Sequence, residues 1–252
     1  MTPRLVEKEG FAAVVLRLRA EGILDIDLMT AVEQTPRLPF VPAQFADDAY
    51  SSRTIPIDCG AFMEGIDLVV RMLHGLKIKP GHRVLEIGTG SGFTAAVMGR
   101  IVERVLTVDR YKTLTTLAQQ RMDALGLRNV IIRQADGSAG LQGEGTFDRI
   151  LVTAAFQTMP RFYAEQLVSG GSMIAPLIVS DDICRLVRLT KTGSRFEREE
   201  LFDVPYQPIV PMLASYLWGG CGRDGRAEGC FIFLWLAIPQ KNTCRTSALT
   251  AW

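Results

Sequence analysis

Apolar positions in the first third of the chain recur at helical spacing. Over residues 11–34 they lie three and four positions apart with a break at Gly22, which predicts two helices. Prolines at positions 36, 39 and 42 then interrupt regular structure, so we predict an ordered loop region over residues 35–60. Helical spacing resumes over residues 67–76 and ends before Pro80-Gly81.

From residue 83 onward, short apolar runs alternate with helical segments. Strands are predicted at residues 83–87, 104–108, 129–133, 149–153 and 172–178, and helices at 94–102, 113–125 and 160–167. This alternation predicts an α/β fold, a doubly wound and mostly parallel sheet that is covered on both faces. Two further runs, 184–190 and 196–202, predict an antiparallel hairpin at the C-terminal end of the sheet.

The pattern divides the chain into three parts. Residues 1–80 are predicted to be a helical and loop segment packed on the main domain, and residues 81–217 to be the α/β domain that binds a cofactor. Residues 218–252 hold three of the five cysteines and lack clean periodicity, so we predict an atypical tail and assign it no role.

Charge and composition narrow the class of protein. The 28 basic and 27 acidic residues are spread along the chain, which argues against a nucleic-acid partner. The longest strongly apolar run, 231–239, is far shorter than the roughly 20 residues of a membrane-spanning helix. Residues 1–9 lack the apolar core of an export signal, so we expect a cytoplasmic protein without a membrane partner. Five cysteines without a C-x-x-C pair and only two histidines predict no metal site.

A glycine-rich loop follows the first predicted strand of the sheet. Glycines permit a tight turn and a close approach of a ligand to the backbone. Phe93 stands where the dinucleotide fingerprint G-x-G-x-x-G requires its third glycine, and Glu86 would repel a phosphate. A carboxylate there suits an ammonium or sulfonium ligand, for which we predict binding by Glu86 and by the loop residues Gly88, Thr89, Gly90, Ser91 and Gly92.

Carboxylates also follow the next two strands. Asp109, with Arg110 beside it, ends the second strand about 20 residues beyond the first glycine, where a carboxylate accepts hydrogen bonds from both ribose hydroxyls. Asp136 and Gly137 follow the third strand, where they are placed to contact an adenine edge. Because ligands of open α/β sheets bind outside the carboxyl ends of the strands, this set favours a nucleoside methyl donor over a dinucleotide.

Several stretches carry a resemblance to a known family. They are Arg37 with Phe40-Val41-Pro42, Ala49-Tyr50, Ile55-Pro56-Ile57, the run from Val84 to Gly92, Asp136-Gly137-Ser138 and Phe147-Asp148-Arg149-Ile150. In these stretches, and over about residues 10–215, the chain resembles the protein-L-isoaspartate O-methyltransferase family. The resemblance implies a Rossmann-like methyltransferase fold, S-adenosyl-L-methionine as cofactor, and methylation of the isoaspartyl carboxyl group of damaged proteins or peptides.

The acceptor loop departs from that family's pattern. The family usually carries Gly-x-Gly-Gln-Thr-Ile-Ser after Pro-Ile, and its threonine and serine lie beside the methyl-accepting carboxylate. Here residues 58–64 retain only Gly60, and Glu64 takes the serine's position. A carboxylate at that position repels an acceptor carboxylate unless one of the two is protonated or paired with a cation.

The departure leaves alternative functions open. Glu64 and Asp58 are the candidate catalytic residues, since either serves as a general base if the acceptor is an amine or a hydroxyl. One alternative is therefore a methyltransferase with a cationic or small-molecule acceptor. A second is a non-catalytic scaffold that binds a nucleoside. The sequence does not determine the oligomeric state.

Overall fold

The N-terminal segment forms two helices, α1 (Pro3–Ala20) and α2 (Ile26–Glu33). They belong to a computed structural model that describes residues 3–158, 161–180 and 183–214. The break between the helices lies at Gly22, whose φ is +82°. Asp25 then caps α2 by accepting the backbone N–H of Leu28 at 3.1 Å.

The predicted loop region contains only short elements before the next helix. Short 3₁₀ segments lie at Leu38–Phe40, Ala43–Asp48, which is kinked at Phe45, and Asp58–Gly60. A two-residue antiparallel ribbon pairs β1 (Ile55–Pro56) with β2 (Phe62–Met63). Helix α3 (Ile66–Leu76) follows and packs against the main sheet.

The central sheet has seven described strands in the order β5-β4-β3-β6-β7-β8-β9. Pairing is parallel from β5 to β7 and antiparallel from β7 to β9. The strands are β3 (Arg83–Ile87), β4 (Arg104–Asp109), β5 (Val130–Gln134), β6 (Phe147–Val152), β7 (Leu167–Ser180), β8 (Ile183–Thr192) and β9 (Arg195–Asp203). Helices α4 (Phe93–Gly99) and α5 (Lys112–Leu125) follow β3 and β4. The predicted fold class and the C-terminal hairpin are both confirmed.

Apolar side chains are buried on both faces of the sheet. Val84 and Val105 belong to a core that includes residues of α1, α2, α3 and α4, whereas Leu85 and Leu106 belong to a second core on the other face. Successive residues of a strand point to opposite faces, so a strand buried on both sides is a continuous apolar run. This explains why the strands lack polar alternation in the sequence.

The prediction of a helix over residues 160–167 is wrong. The described part of that segment forms a single 3₁₀ turn at Arg161–Ala164, and Leu167 already belongs to β7. Leu167 pairs with Phe147 of β6, and the backbone N–H of Phe147 donates to the carbonyl of Gln166 at 2.8 Å. Pairing with a neighbouring strand therefore outweighs the local helical spacing.

Two further predictions concern membrane-spanning helices and the C-terminal residues. Among the described residues, no helix combines the length and the apolar character needed to cross a bilayer. The atypical tail predicted at residues 218–252 lies outside the described residues.

Candidate functional site: a glycine loop and a buried arginine

The glycine loop leaves the end of β3 through three residues with left-handed backbone. Gly88, Gly90 and Gly92 have φ values of +98°, +51° and +88°. A Cβ at Gly88 would overlap Oγ1 of Thr153. The backbone N–H groups of Gly88 and Thr89 both donate to the carbonyl of Val108, at 2.8 and 3.2 Å. The loop conformation is thus specific to glycine and is fixed against β4.

Asp109 joins the end of β4 to this loop. Its Oδ2 accepts the backbone N–H of Gly90 at 3.0 Å, and its Oδ1 accepts that of Tyr111 at 3.0 Å. Burial raises the pKa of Asp109, while these backbone hydrogen bonds act in the opposite direction. The carboxylate predicted to contact ribose therefore lies at the carboxyl end of β4, in contact with the loop.

Glu86 lies beneath the loop, and its side chain is fully buried. Its Oε2 accepts a 2.6 Å hydrogen bond from Oγ1 of Thr107, which lies 2.7 Å from Oγ1 of Thr89. Burial raises the pKa of Glu86 to about 8, against the opposing effect of the Thr107 hydrogen bond. Because the uncharged form is favoured at neutral pH, repulsion of phosphate by Glu86 is weaker than the sequence argument assumed.

Asp136 follows β5 and is held by backbone groups on two sides. Its carboxylate accepts the N–H of Ser138 at 2.8 Å and the N–H of Met212 at 2.6 Å. Burial acts to raise the pKa of Asp136, but the hydrogen bonds from Ser138 and Met212 and the charge of Arg110 lower it. Nε of Arg110 is buried and has no hydrogen-bond partner among the described residues.

Gly137 packs directly on the end of β3. A Cβ there would lie 2.5 Å from Cγ2 of Ile87, so this close approach requires glycine. The hydroxyl of Tyr163 donates to the carbonyl of Gly137 at 2.5 Å, and Tyr163 is fully buried. Burial also raises the pKa of Tyr163. The turn after β5 is therefore held from both sides.

A cavity with about 300 Å³ of empty space, part of it open to solvent, lies between the glycine loop and the acceptor loop. Its lining comes from three parts of the chain: Arg37; Phe62, Met63, Glu64 and Val69; and Thr89, Gly90, Ser91, Phe93, Thr94 and Thr153. Residues on the acceptor side and on the cofactor side thus face one space.

Arg37 is a fully buried cation at this cavity. Its Nη2 donates to the backbone carbonyl of Glu64 at 2.5 Å, and its guanidinium carbon lies 4.4 Å from the centre of the Phe93 ring. Burial lowers the pKa of Arg37 to about 9, although the negative charges of Glu64, Asp67 and Glu7 act to raise it. At neutral pH the guanidinium remains charged.

The two candidate catalytic residues occupy different environments. Glu64 lines the cavity, and burial raises its pKa to about 7, while a hydrogen bond from its own backbone and the charge of Arg37 act to lower it. Asp58 is exposed on the 3₁₀ turn at Asp58–Gly60 and is not among the residues that line the cavity. The structure therefore places Glu64, but not Asp58, in the lining of the cavity.

Sequence reasoning did not select Arg37 or Thr153 as site residues. Arg37 precedes the Phe-Val-Pro segment of the family resemblance, and an arginine among apolar and proline residues is itself a signal. Thr153 comes directly after β6, where its Oγ1 donates to the carbonyl of Ile87 at 3.2 Å. Its position at the carboxyl end of a parallel strand was the available signal.

The arrangement suits a nucleoside methyl donor. A Cβ at Gly90 would make an ordinary contact with Cδ1 of Ile57 at 3.7 Å, and Gly90 itself lines the cavity. Asp109, at the carboxyl end of β4, borders the same loop. Within the described ranges, no cluster of three or more His, Cys, Asp or Glu side chains is arranged to hold a metal ion.

Comparison with known proteins identifies the family. Residues 9–213 match the family model of protein-L-isoaspartate(D-aspartate) O-methyltransferase (PCMT). The chain belongs to this family. The match confirms the resemblance seen in the sequence and ends at residue 213.

Individual relatives agree with this assignment. The chain is 61% identical to a protein-L-isoaspartate O-methyltransferase of Rhizobium meliloti (strain 1021) over 204 residues, which cover 81% of this chain and all of that protein. It is 41% identical to the enzyme of that name from Azorhizobium caulinodans over 217 residues, 86% of this chain and all of the relative.

A solved structure agrees with the fold. It is that of a candidate protein-L-isoaspartate O-methyltransferase from Plasmodium falciparum in complex with S-adenosyl-L-homocysteine. Its TM-score is 0.69 at 22% identity, with 79% of this chain and 97% of that chain covered. At this identity the likeness establishes the shared fold.

Proposed function

We propose that this protein transfers a methyl group from S-adenosyl-L-methionine to the isoaspartyl carboxyl group of damaged proteins or peptides. Membership of the family and the full-length match to a relative with that name support the proposal. The observation that carries it is the shared cavity, where Thr89, Gly90 and Ser91 of the glycine loop face Glu64 of the acceptor loop. We also propose a cytoplasmic location.

Two parts of the chain have different roles in the proposed function. Residues 81–217 hold the cofactor: the loop Gly88 to Gly92 allows close approach, Asp109 accepts from the ribose hydroxyls, and Asp136 and Gly137, with Arg110, border the adenine. Residues 1–80 supply the acceptor side, including Arg37 and Glu64. S-adenosyl-L-methionine, when bound, supplies an electrophilic methyl group on a positively charged sulfur.

The side chains at the cavity suit an acceptor that is already ionised. An isoaspartyl carboxylate has no proton to lose at neutral pH, so no residue has to act as a general base. The residues must instead orient the acceptor oxygen and exclude water, and orientation alone is worth up to about 7–11 kcal/mol of an activation barrier. Phe62, Met63 and Phe93 contribute apolar residues to the lining of the cavity, beside the space proposed for the reacting groups.

A pair of peptides tests this function. The full chain is incubated with S-adenosyl-L-methionine and an isoaspartyl peptide, or with the same peptide carrying normal aspartate, and mass spectrometry detects an added methyl group. Methylation of the isoaspartyl form alone is expected. Binding of the cofactor without transfer to either peptide would overturn the proposal, and amine and hydroxyl acceptors would then be tested in the same assay.

A further inference from the structure

Arg37 has unused hydrogen-bonding capacity at the cavity. One of its nitrogens, Nη2, donates to the carbonyl of Glu64. Nε and Nη1 are buried, and neither has a hydrogen-bond partner among the described residues. A buried charged donor without a partner costs free energy, roughly 1–3 kcal/mol or more. A carboxylate ligand would supply an acceptor to one of these donors in a charge-assisted hydrogen bond. The Nε–H and Nη1–H groups point along different edges of the guanidinium, so one carboxylate does not bridge both.

Three carboxylates contribute negative charge at Arg37, those of Glu64, Asp67 and Glu7. Two of them form hydrogen bonds with groups other than the guanidinium. Asp67 of α3 forms hydrogen bonds of 3.0–3.2 Å with Arg17 of α1, and Glu7 of α1 accepts the backbone N–H of Arg37 at 3.1 Å. Glu64 is the largest negative contribution at Arg37, and its side chain lines the same cavity. Glu64 is therefore the carboxylate that competes with a ligand carboxylate for the guanidinium of Arg37.

We infer that Arg37 and Glu64 form the subsite for the methyl-accepting carboxylate: an N–H group of Arg37 that has no partner in the structure donates to that carboxylate, and Glu64 opposes its binding whenever Glu64 is ionised. This inference rests on the proposed function, and it assigns to this chain an acceptor contact that replaces the hydroxyl expected at position 64. It also makes acceptor binding dependent on the protonation of one residue.

The direction of the pH dependence follows from the charges that face Glu64. Burial favours the neutral form of Glu64, whereas its backbone hydrogen bond and the charge of Arg37 favour the ionised form. The charge of Glu64 in turn acts to raise the pKa of Glu86 on β3. With a pKa of about 7, Glu64 is mostly uncharged at pH 6 and mostly ionised at pH 8. The acceptor carboxylate, with a pKa near that of an ordinary aspartate, stays ionised throughout this range. Acceptor binding therefore weakens as the pH rises.

The test compares the wild type with Glu64→Gln between pH 5.5 and 8.5. Initial rates are measured as release of S-adenosyl-L-homocysteine, since this product persists when the methyl ester hydrolyses at alkaline pH. For the isoaspartyl peptide at saturating cofactor, we expect kcat/KM of the wild type to fall about tenfold over roughly two pH units, as for one titrating group. The Glu64→Gln profile should be flat. The control Glu33→Gln, on an exposed residue of α2, should follow the wild type.

A second variant tests the arginine itself. Arg37→Lys keeps the charge but loses the planar guanidinium and its fixed N–H directions, so KM for the peptide should rise at least tenfold while kcat changes less than threefold. Affinity for S-adenosyl-L-homocysteine, measured by calorimetry, should stay within twofold and would reveal a folding defect. Arg53→Lys, at an exposed arginine, serves as the control.

The possible outcomes separate this inference from the proposed function. No transfer to the isoaspartyl peptide at any pH would overturn both. Transfer with the same pH profile in the wild type and Glu64→Gln would overturn the subsite and leave the proposed function intact. A flat Glu64→Gln profile beside a falling wild-type profile supports the subsite.

Discussion

Oδ2 of Asp109 accepts the backbone N–H of Gly90 across 3.0 Å, which joins the carboxyl end of β4 to the glycine loop that follows β3. The second carboxylate oxygen accepts the N–H of Tyr111. Each oxygen retains a further lone pair, so the carboxylate is oriented by the backbone and can still accept from a ligand. The residue proposed to contact the ribose thus also supports the shape of the loop.

Asp109→Ala should weaken cofactor binding. It removes the proposed ribose contact and leaves the N–H of Gly90 without its acceptor, so we expect the Kd for S-adenosyl-L-homocysteine to rise at least tenfold, about 1.4 kcal/mol. Isothermal titration calorimetry measures this. Asp123→Ala, at an exposed aspartate of α5, is the control. Unchanged affinity in a folded Asp109→Ala protein would refute the ribose assignment.

Gly90→Val should abolish detectable cofactor binding. Gly90 has a φ of +51° and lines the cavity, so a valine side chain there would occupy the space proposed for the cofactor. Left-handed backbone costs a β-branched residue about 1–2 kcal/mol, so stability falls as well. Gly143→Val separates the two effects, because Gly143 also has a positive φ, +83°, but is exposed away from the cavity. Both variants should lose stability in thermal denaturation, and only Gly90→Val should lose binding; loss of binding in both would contradict the assignment.

Glu86 should make the protein less stable as the pH rises. Its folded pKa, about 8, lies above its ordinary value of 4.5, so the folded state binds more protons between those pH values. The contribution of Glu86 to the free energy of unfolding is therefore complete below about pH 4.5 and declines as the pH rises through 8, with a slope of at most about 1.4 kcal/mol per pH unit.

Glu86→Gln tests this dependence, since glutamine keeps an acceptor for Thr107 and has no titrating proton. Urea unfolding at several pH values between 5 and 8.5 should show a shallower decline than in the wild type. Glu33→Gln should leave the slope unchanged. A decline in Glu86→Gln as steep as that of the wild type would show that Glu86 is not the titrating group.

Tyr163→Phe should destabilise the turn after β5. The variant leaves the carbonyl of Gly137 without the hydroxyl that donates to it at 2.5 Å in a buried site, and such a loss costs about 1–3 kcal/mol. Chemical denaturation measures the change. Tyr111→Phe is the control, because the Tyr111 hydroxyl has no hydrogen-bond partner among the described residues. Equal stability of Tyr163→Phe and the wild type would contradict the prediction.

The local spacing of apolar residues was sufficient to predict most of the strands and helices. The strands from β3 to β6 and the helices α4 and α5 appear in the sequence as apolar runs and helical segments of ordinary length. The segment over residues 160–167 did not follow this rule, because the strand pairing of Leu167 with Phe147 joins residues 20 positions apart. A pattern confined to neighbouring positions carries no information about such a partner.

The sequence by itself determined the order of strands and helices, the glycine loop, and the placing of Asp109 and Asp136 at the carboxyl ends of strands. These features depend on residue types at short, regular spacing. Only the tertiary structure decided that Arg37 and Glu64 share a cavity with that loop and that Asp58 does not. It also decided the ionisation of Glu64 and Glu86, because the pKa of a carboxyl group depends on burial and on charges that packing brings together from distant parts of the chain.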